Sequence, residues 1–340
     1  MVDVLTGNSL EVLKTLPSES VQCCITSPPY YGLRDYGVDG QFGQEESPEK
    51  FIDNLVNVFR EVRRVLKDDG TLWVNIGDSY CGTGSKGEYR DPKYKDGRNG
   101  QTVSKTQNVE NCKHKDLIGI PWMLAFALRK DGWYLRQDII WAKKNVMPES
   151  VKDRCVKSHE YIFLLSKKPK YYFDYEAIQE EATGYDGRKD TMNKGSAKYA
   201  EGLCYQEKHA NTMSAKGHER WKWKNLEYKG LTTHTMHERR ANGLPDEMYP
   251  VRNKRDVWSV ATQPFNGAHF AVFPEKLIEP CIMAGTKEKD VILDPFGGSG
   301  TTGVVANRLG RHAILIDINP EYVELAKSRT NQIGLADVIV

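Results

Sequence analysis

Short apolar runs alternate with helical patterns along the first 80 residues. The runs VDVL, VQCCIT and TLWVNIG are separated by SLEVLKTL and SPEKFIDNLVNVFREVRRVL. This order of strand, helix, strand, helix and strand is typical of a parallel sheet covered by helices. In the longer helix Phe51, Leu55, Val58, Val62 and Leu66 recur at steps of three and four residues, which predicts one core-facing stripe that ends at KDDG.

The same alternation returns in two later parts of the chain. DLIGIPWMLAFALRKDG predicts a helix, and WYLRQDIIWAKKN and HEYIFLLSK predict strands. Over the last 70 residues FPEKLIEPCIMAG predicts a helix, VILDPFGGSGTT a strand, glycine loop and helix start, and AILIDINPEYVELAKSR a strand and a helix. Two intervening stretches lack apolar periodicity. Residues 81–113 are polar and rich in glycine and lysine, which predicts a mobile loop, and residues 174–256 are too poor in apolar side chains to form a large core alone.

Composition narrows the class of protein. With 340 residues and 39% apolar content the chain can bury a substantial core. No window approaches the roughly 18 consecutive apolar residues of a membrane span, and MVDVLTGNSL lacks the pattern of an export signal. We therefore expect a cytoplasmic protein without membrane attachment. The seven cysteines show no C-x-x-C spacing, which predicts free thiols and neither a disulfide framework nor a metal site.

Charge is unevenly distributed along the chain. The formal net charge is +2, but residues 151–256 contain 21 Lys and Arg against 16 Asp and Glu. This local excess of +5 favours a polyanionic partner, although a solvated basic face explains it equally well.

The stretch DPFGGSGTT, residues 294–302, has the features of a ligand-binding loop. It follows an apolar strand and precedes a helix, so its glycines let the backbone approach a ligand and the first helical amides face the same space. It matches neither the dinucleotide nor the triphosphate pattern and has no lysine for a phosphate, which favours a ligand without a polyphosphate. Asp294 at the strand end could meet a cationic group, and Asp317, which ends the next strand, is expected to bind a sugar diol.

Three motifs in a fixed order resemble a known family. TSPPY, FAVFPEKLIEPCI and DPFGGSGTT, in chain order, look like the exocyclic-amino DNA methyltransferases of the β arrangement, in which the catalytic motif precedes the cofactor motif. The resemblance covers residues 1–80, 117–175 and 256–330. It implies a Rossmann-like α/β fold, with a mainly parallel twisted sheet, helices on both faces, a permuted motif order and an inserted target-recognition region. It also implies S-adenosyl-L-methionine as cofactor, held by Asn8, Phe273, Pro274, Asp294, Phe296, Gly297, Gly298, Ser299, Gly300, Thr301 and Asp317.

The resemblance assigns the chemistry to the elbow, which we define as Ser27, Pro28, Pro29 and Tyr30. An exocyclic amino nitrogen is a poor nucleophile because its lone pair is delocalised into the ring. The Ser27 hydroxyl and the Pro28 carbonyl could accept its two hydrogens, while the two prolines restrict backbone movement. Tyr30 offers a face for a base flipped out of the duplex, a contact worth about 1–3 kcal/mol.

The target base is less determined than the reaction. Relatives with serine at the first position of the elbow mostly modify cytosine N4 and those with aspartate adenine N6, so we expect cytosine N4 with adenine N6 as the alternative. No cysteine stands beside the elbow, which argues against covalent attack on cytosine carbon 5. Methylation of a protein glutamine or an RNA base is disfavoured by the motif order. A catalytically inactive DNA-binding relative is disfavoured by the intact motifs.

DNA recognition is expected outside the catalytic core. We expect residues 1–175 and 256–340 to form the catalytic domain and residues 176–255 the target-recognition region, with double-stranded DNA as partner. Arg220, Arg239 and Arg240 are candidates for contacts with guanine edges. A cognate restriction endonuclease is a candidate partner, and the sequence leaves the target site and the oligomeric state open.

Overall fold

The computed structural model describes residues 1–33, 37–82, 109–110, 112–146, 149–181, 251–263 and 273–336. The helices in these ranges are α1 (Ser9–Thr15), α2 (Pro48–Val65), α3 (Ile120–Lys130), α4 (Glu275–Gly285), α5 (Thr301–Arg308) and α6 (Pro320–Ala336). The strands are β1 (Val2–Thr6), β2 (Val21–Thr26), β3 (Leu66–Ile76), β4 (Tyr134–Lys143), β5 (His159–Ser166), β6 (Glu180–Glu181), β7 (Val251–Arg252), β8 (Val257–Val260), β9 (Val291–Asp294) and β10 (His312–Asp317). No helix in the described ranges is both long and apolar enough to cross a membrane.

Eight of these strands form one sheet in the order β1-β10-β9-β2-β3-β5-β4-β8. Every neighbouring pair is parallel except the two pairs that β5 makes. From the adjacent strands β2 and β9 the chain turns in opposite directions, since α2 leads to β3 on one side and α5 leads to β10 on the other. Ligands of open α/β sheets bind at such a switch point, beyond the carboxyl ends of the strands. We call this end of the sheet the carboxyl edge.

The sheet is buried on both faces. All six residues of β2 are buried, as expected for a central parallel strand. Because successive side chains point to opposite faces, Cys24 packs into the core formed with α1, α2 and α3, while Cys23 packs into the core formed with α4, α5 and α6. The predicted mainly parallel sheet with helices on both faces is confirmed.

Helix α2 shows how local sequence sets the ends of an element. Its N-cap Ser47 accepts a hydrogen bond from the Lys50 amide, and Pro48 occupies the first turn. The predicted stripe is buried, and the predicted stop is confirmed, since the C-cap Leu66 directly precedes KDDG. The helix ends at Val65, and Leu66 already pairs with Val21 of β2. Strand β3 therefore begins at Leu66, earlier than the predicted run TLWVNIG.

The chain divides into two units, residues Met1–Ile178 with Lys254–Val340 and residues Gln179–Asn253. In the described part of the second unit, β6 and β7 pair antiparallel, and Arg252 forms an ion pair with Glu180. Most of the region 176–255 and most of the loop predicted at 81–113 lie outside the described residues. The recognition role of the first and the mobility of the second stay predictions.

Candidate active site

The elbow directly follows β2 at the carboxyl edge. Pro28 is buried, while Ser27, Pro29 and Tyr30 are half-buried. The prolines stand beyond the last paired residue of the strand, where their missing N–H groups cost no sheet hydrogen bond. The backbone after the strand is therefore stiffened without weakening the sheet.

A hydrogen bond joins the elbow segment to the glycine loop, which we define as residues 294–302. The Thr26 hydroxyl donates to Oδ1 of Asp294 over 2.7 Å, and both groups are buried. The two strands are parallel neighbours, with Cys24 opposite Leu293, so they end at the same edge. The predicted approach of Ser27 and Asp294 in space is confirmed at the level of the segments that carry them.

Asp294 is a buried carboxylate with three donors around it. In addition to Thr26, the Phe296 amide donates to Oδ1 over 3.1 Å and the Thr302 hydroxyl donates to Oδ2 over 2.6 Å. Burial raises the pKa of this carboxyl to about 6, and the three hydrogen bonds limit the rise. Through these contacts Asp294 connects the glycine loop to Thr26 of β2. Its contact with a cationic ligand group stays a prediction.

The glycine loop enters α5 through a left-handed residue. Gly300 is the N-cap of α5 with φ +82, and a Cβ at this position would lie 2.8 Å from Cβ of Ala326 on α6. Only glycine fits this combination of backbone angle and close packing. From α6, Arg329 donates to the Ser299 carbonyl over 2.7 Å and to its hydroxyl over 2.9 Å. Helix α6 thus holds the glycine loop at two points, Gly300 and Ser299.

Asp317 ends β10 beside the glycine loop. Its carboxylate accepts hydrogen bonds from the amides of Gly298, over 2.9 Å, and Asn319, over 2.8 Å. Burial raises the pKa of Asp317, and these two hydrogen bonds act in the opposite direction. The carboxylate is half-buried, so its remaining acceptor positions suit the predicted sugar diol.

The turn that contains Asn8 lies next to the same two segments. The Gly7 amide donates to the Asp317 carbonyl over 2.9 Å, and the Ser9 hydroxyl donates to the Pro295 carbonyl over 2.5 Å. Asn8 itself caps α1, since its side chain accepts from the Leu10 amide over 3.0 Å. The structure therefore brings Asn8, the glycine loop and Asp317 together, while the predicted contact of Asn8 with adenine stays a prediction.

The predicted second wall of the cofactor site stands at the head of α4. Pro274 is the buried N-cap of this helix, and Phe273 is half-buried against the core formed with α4, α5 and α6. Phe296 of the glycine loop instead packs edge to face against Phe42, with ring centroids 5.4 Å apart. The glycine loop is thus contacted by Thr26 before the elbow and by Phe42 after it.

The three predicted arginines cannot be placed, whereas the buried cysteines are explained by packing. Arg220, Arg239 and Arg240 lie outside the described residues. Cys23, Cys24 and Cys281 are buried free thiols, and burial raises the pKa of Cys23 to about 12 and that of the other two well above its ordinary value. Such thiols pack as small apolar groups and are poor nucleophiles. Among the described residues, no group of three His, Cys, Asp or Glu side chains could hold a metal ion.

Sequence reasoning missed several residues that build this edge. Thr26 and Thr302 stand inside the motifs TSPPY and DPFGGSGTT, but their hydrogen bonds to Asp294 form only in the folded chain. Ser9 and Arg329 had no signal, because their partners at Pro295 and Ser299 are distant along the chain. Glu160, which accepts a hydrogen bond from Tyr30, lies in the predicted strand HEYIFLLSK, but no role was predicted for its side chain.

Comparisons with known proteins agree with this arrangement. A family model described as DNA methylase (N6_N4_Mtase) matches residues 21–328. The Type II methyltransferase M.Cfr9I of Citrobacter freundii is 45% identical over 335 residues, covering 97% of this chain and 89% of the relative. M.SmaI of Serratia marcescens is 42% identical over 327 residues, covering 96% and 89%.

Solved structures show the same fold at lower identity. PvuII DNA methyltransferase, a cytosine-N4-specific enzyme, superposes with a TM-score of 0.56 at 19% identity, covering 96% of this chain and 86% of that chain. TTHA0409 of Thermus thermophilus, solved in complex with S-adenosyl-L-methionine, superposes with a TM-score of 0.53 at 22% identity, covering 98% and 94%. At these identities the similarity concerns the fold.

Proposed function

This chain belongs to the DNA methylase family of site-specific methyltransferases, and from that premise we propose that it methylates the N4 amino group of a flipped cytosine in duplex DNA. S-adenosyl-L-methionine is the cofactor of this reaction.

The observation that carries the proposal is the hydrogen bond between Thr26 and Asp294. Thr26 directly precedes Ser27, and Asp294 begins the glycine loop. A base held by the elbow and a cofactor held by the loop would therefore meet at one edge of the sheet. Methyl transfer needs this proximity, because the reacting atoms must approach to about 3–3.5 Å in line.

The residues at this edge suit the groups they would hold. Asp317 offers carboxylate oxygens to a ribose diol, and the glycine loop offers backbone atoms and no lysine, which suits a ligand without phosphates. When bound, S-adenosyl-L-methionine supplies an electrophilic methyl group, whose bond to sulfur breaks as the bond to nitrogen forms.

The elbow would orient the amino group for attack. The Ser27 hydroxyl and the Pro28 carbonyl accept its two hydrogens, which directs the nitrogen lone pair toward the methyl group. Tyr30 stacks against the flipped base. Because the amino nitrogen is itself the nucleophile, no covalent enzyme intermediate forms, and the proton that the nitrogen gives up passes to water. Most of the rate enhancement then comes from positioning.

The choice of cytosine rests on Ser27. A serine hydroxyl is a neutral acceptor, and members of the resembled family with serine at this position mostly modify cytosine N4. Adenine N6 is the alternative within the same reaction, since a hydroxyl and a carbonyl can also hold the amino group of adenine.

Mass spectrometry of nucleosides from DNA co-expressed with the protein tests the proposal. We expect N4-methylcytosine. Detection of N6-methyladenine would show that the target is adenine and not cytosine. The absence of both modified nucleosides would overturn the proposal. Long-read sequencing of the same DNA would identify the target site, which we propose is read by residues 176–255, including Arg220, Arg239 and Arg240.

A pair of serine variants tests the elbow itself. Ser27→Ala should lose most turnover and still bind S-adenosyl-L-methionine, because only an acceptor for the base is removed. Ser20→Ala is the matched control, since Ser20 precedes the strand that Ser27 follows, and its hydroxyl donates to the Pro17 carbonyl. Full activity in Ser27→Ala would contradict the assigned role.

A further inference from the structure

The hydroxyl of Tyr30 is bound to a residue on a distant strand. It donates to Oε2 of Glu160 over 2.6 Å, across 130 positions of the chain. Glu160 reaches the elbow because β5 runs antiparallel to its neighbours, so its first residues lie at the carboxyl edge where the other strands end. A hydrogen bond from a phenol to a carboxylate is charge-assisted and among the stronger ones in proteins.

Glu160 is held by residues from two further strands. Lys143, the last residue of β4, forms an ion pair with Oε1. Asn75 of β3 donates to Oε2 over 3.2 Å and to the Tyr161 carbonyl over 3.1 Å. The side chains of Glu160 and Lys143 are only 12% and 22% exposed, so solvent screens this network weakly. The carboxylate is therefore a rigid acceptor for the phenol.

The tyrosine ring has a second fixed contact at Gly77. A Cβ at residue 77 would lie 2.6 Å from Cε2 of Tyr30, so the ring packs directly against the backbone there. The hydrogen bond to Glu160 fixes the hydroxyl end of the side chain, and packing against Gly77 fixes one edge of the ring. Together they restrict rotation of the ring about its side-chain bonds.

We propose that Glu160 is a positioning residue, which holds the Tyr30 ring in the orientation that stacks against the target base. The inference rests on the proposed function, because it assigns a role toward that same base. A ring that is already ordered does not lose side-chain freedom when the base enters, so less of the stacking energy is spent on ordering it. Lys143 and Asn75 act one step further away, by holding Glu160.

A simpler role for Glu160 makes a different prediction. If its ion pair with Lys143 only stabilised the sheet, replacing Glu160 would have the same effect whether or not Tyr30 carried a hydroxyl. If Glu160 acts through Tyr30, replacing Glu160 in a protein that already lacks the Tyr30 hydroxyl should not lower turnover further. A double-mutant cycle separates these cases.

The experiment uses the full chain, radiolabelled S-adenosyl-L-methionine and plasmid DNA from cells that lack this methyltransferase. Tyr30→Phe, Glu160→Gln and the double variant are compared in kcat, in KM for cofactor and in melting temperature. We expect each single variant to lower kcat about tenfold, with KM for cofactor within about twofold of the wild type. The double variant should be no slower than the slower single variant.

Glu61→Gln is the matched control, because Glu61 forms a partly buried ion pair with Arg64 on α2, at 2.7 Å. It should keep the wild-type kcat. Effects of Tyr30→Phe and Glu160→Gln that multiply in the double variant would overturn the proposal. Full kcat in Tyr30→Phe would also overturn it, even if Glu160→Gln failed to fold, because Tyr30→Phe keeps the ring and removes the hydroxyl that donates to Glu160 and lies 3.4 Å from Oδ1 of Asn75.

Failure of the two proposals can be told apart. A wild-type protein that transfers no label to DNA would overturn the proposed function, and the positioning role with it. A wild-type protein that forms N4-methylcytosine, with variants that match it in kcat, would overturn the positioning role alone.

Discussion

Thr26 donates a hydrogen bond to Asp294 over 2.7 Å, although 268 positions separate the two residues along the chain. The bond connects the end of β2 to the end of β9 at the switch point of the sheet. It therefore holds together the two segments that carry the proposed base site and the proposed cofactor site. Stability and activity should both depend on it.

Removing the Thr26 hydroxyl should destabilise the fold. Thr26→Val keeps the shape and leaves the ionised Asp294 with one donor fewer, which costs about 1.5–3 kcal/mol for a hydrogen bond to a buried charge. Denaturant unfolding at pH 7.5 measures the change. Thr15→Val is the control, because its exposed hydroxyl donates to the Val12 carbonyl at the end of α1, and it should change the free energy of unfolding by less than about 0.5 kcal/mol. Equal effects of the two variants would contradict the prediction.

Asp294 should make the stability depend on pH. Its pKa is raised from 3.8 to about 6 in the folded protein. Between about pH 4 and pH 6 the folded state keeps a proton that the unfolded chain has lost, so the free energy of unfolding falls as the pH rises. A pKa shift of this size contributes about 3 kcal/mol to the free energy of unfolding below about pH 4, and this contribution is lost in full above about pH 6.

Asp294→Asn isolates this contribution, because an amide does not titrate. The free energy of unfolding of the variant minus that of the wild type should increase from pH 4 to pH 7 by about 3 kcal/mol. Denaturant curves at several pH values give the difference, in which the titration of all other groups cancels. Parallel pH profiles for the two proteins would show that the pKa of Asp294 is not raised.

Gly300 should tolerate no side chain. Gly300→Ala places a Cβ 2.8 Å from Ala326 in a residue with φ +82. Gly119 is a matched control, since it is the N-cap of α3 with φ +88 and a Cβ added there would have nothing within 4 Å. Gly119→Ala should cost about 1–2 kcal/mol from the backbone angle alone. Gly300→Ala should cost about 1–3 kcal/mol more from overpacking, as measured by denaturant unfolding.

Asp317 should contribute to cofactor binding. Asp317→Asn leaves one acceptor oxygen for two amides, because Gly298 and Asn319 donate to different carboxylate oxygens, and it removes the charge that would bind the ribose hydroxyls. Calorimetry should give an affinity for S-adenosyl-L-methionine at least about tenfold lower, since a hydrogen bond to a charged group contributes about 1.5–3 kcal/mol. Asp290→Asn is the control at the opposite end of the sheet, before β9, and should bind the cofactor like the wild type. Unchanged binding in Asp317→Asn would remove Asp317 from the proposed cofactor site.

The sequence predicted most elements of the sheet and missed details that depend on pairing. The apolar runs that became β2 and β9 are continuous, because both faces of these strands are buried. The early start of β3 at Leu66 could not be predicted, since it follows from pairing of Leu66 with Val21. The proposed role of Glu160 could not be predicted either, because it depends on β5 being antiparallel, and periodicity carries no information on strand direction.

The sequence by itself determined the class of fold, the family and the segments that carry the chemistry. Each of these follows from a local pattern, namely the periodicity of apolar residues, the glycines at the end of a strand and the prolines after a strand. Only the tertiary structure decided which of those segments meet and what holds them. The hydrogen bonds from Thr26 to Asp294, from Ser9 to Pro295 and from Tyr30 to Glu160 join residues at least 130 positions apart. Such contacts arise from strand order and direction, which are properties of the packed sheet and not of any stretch of the chain.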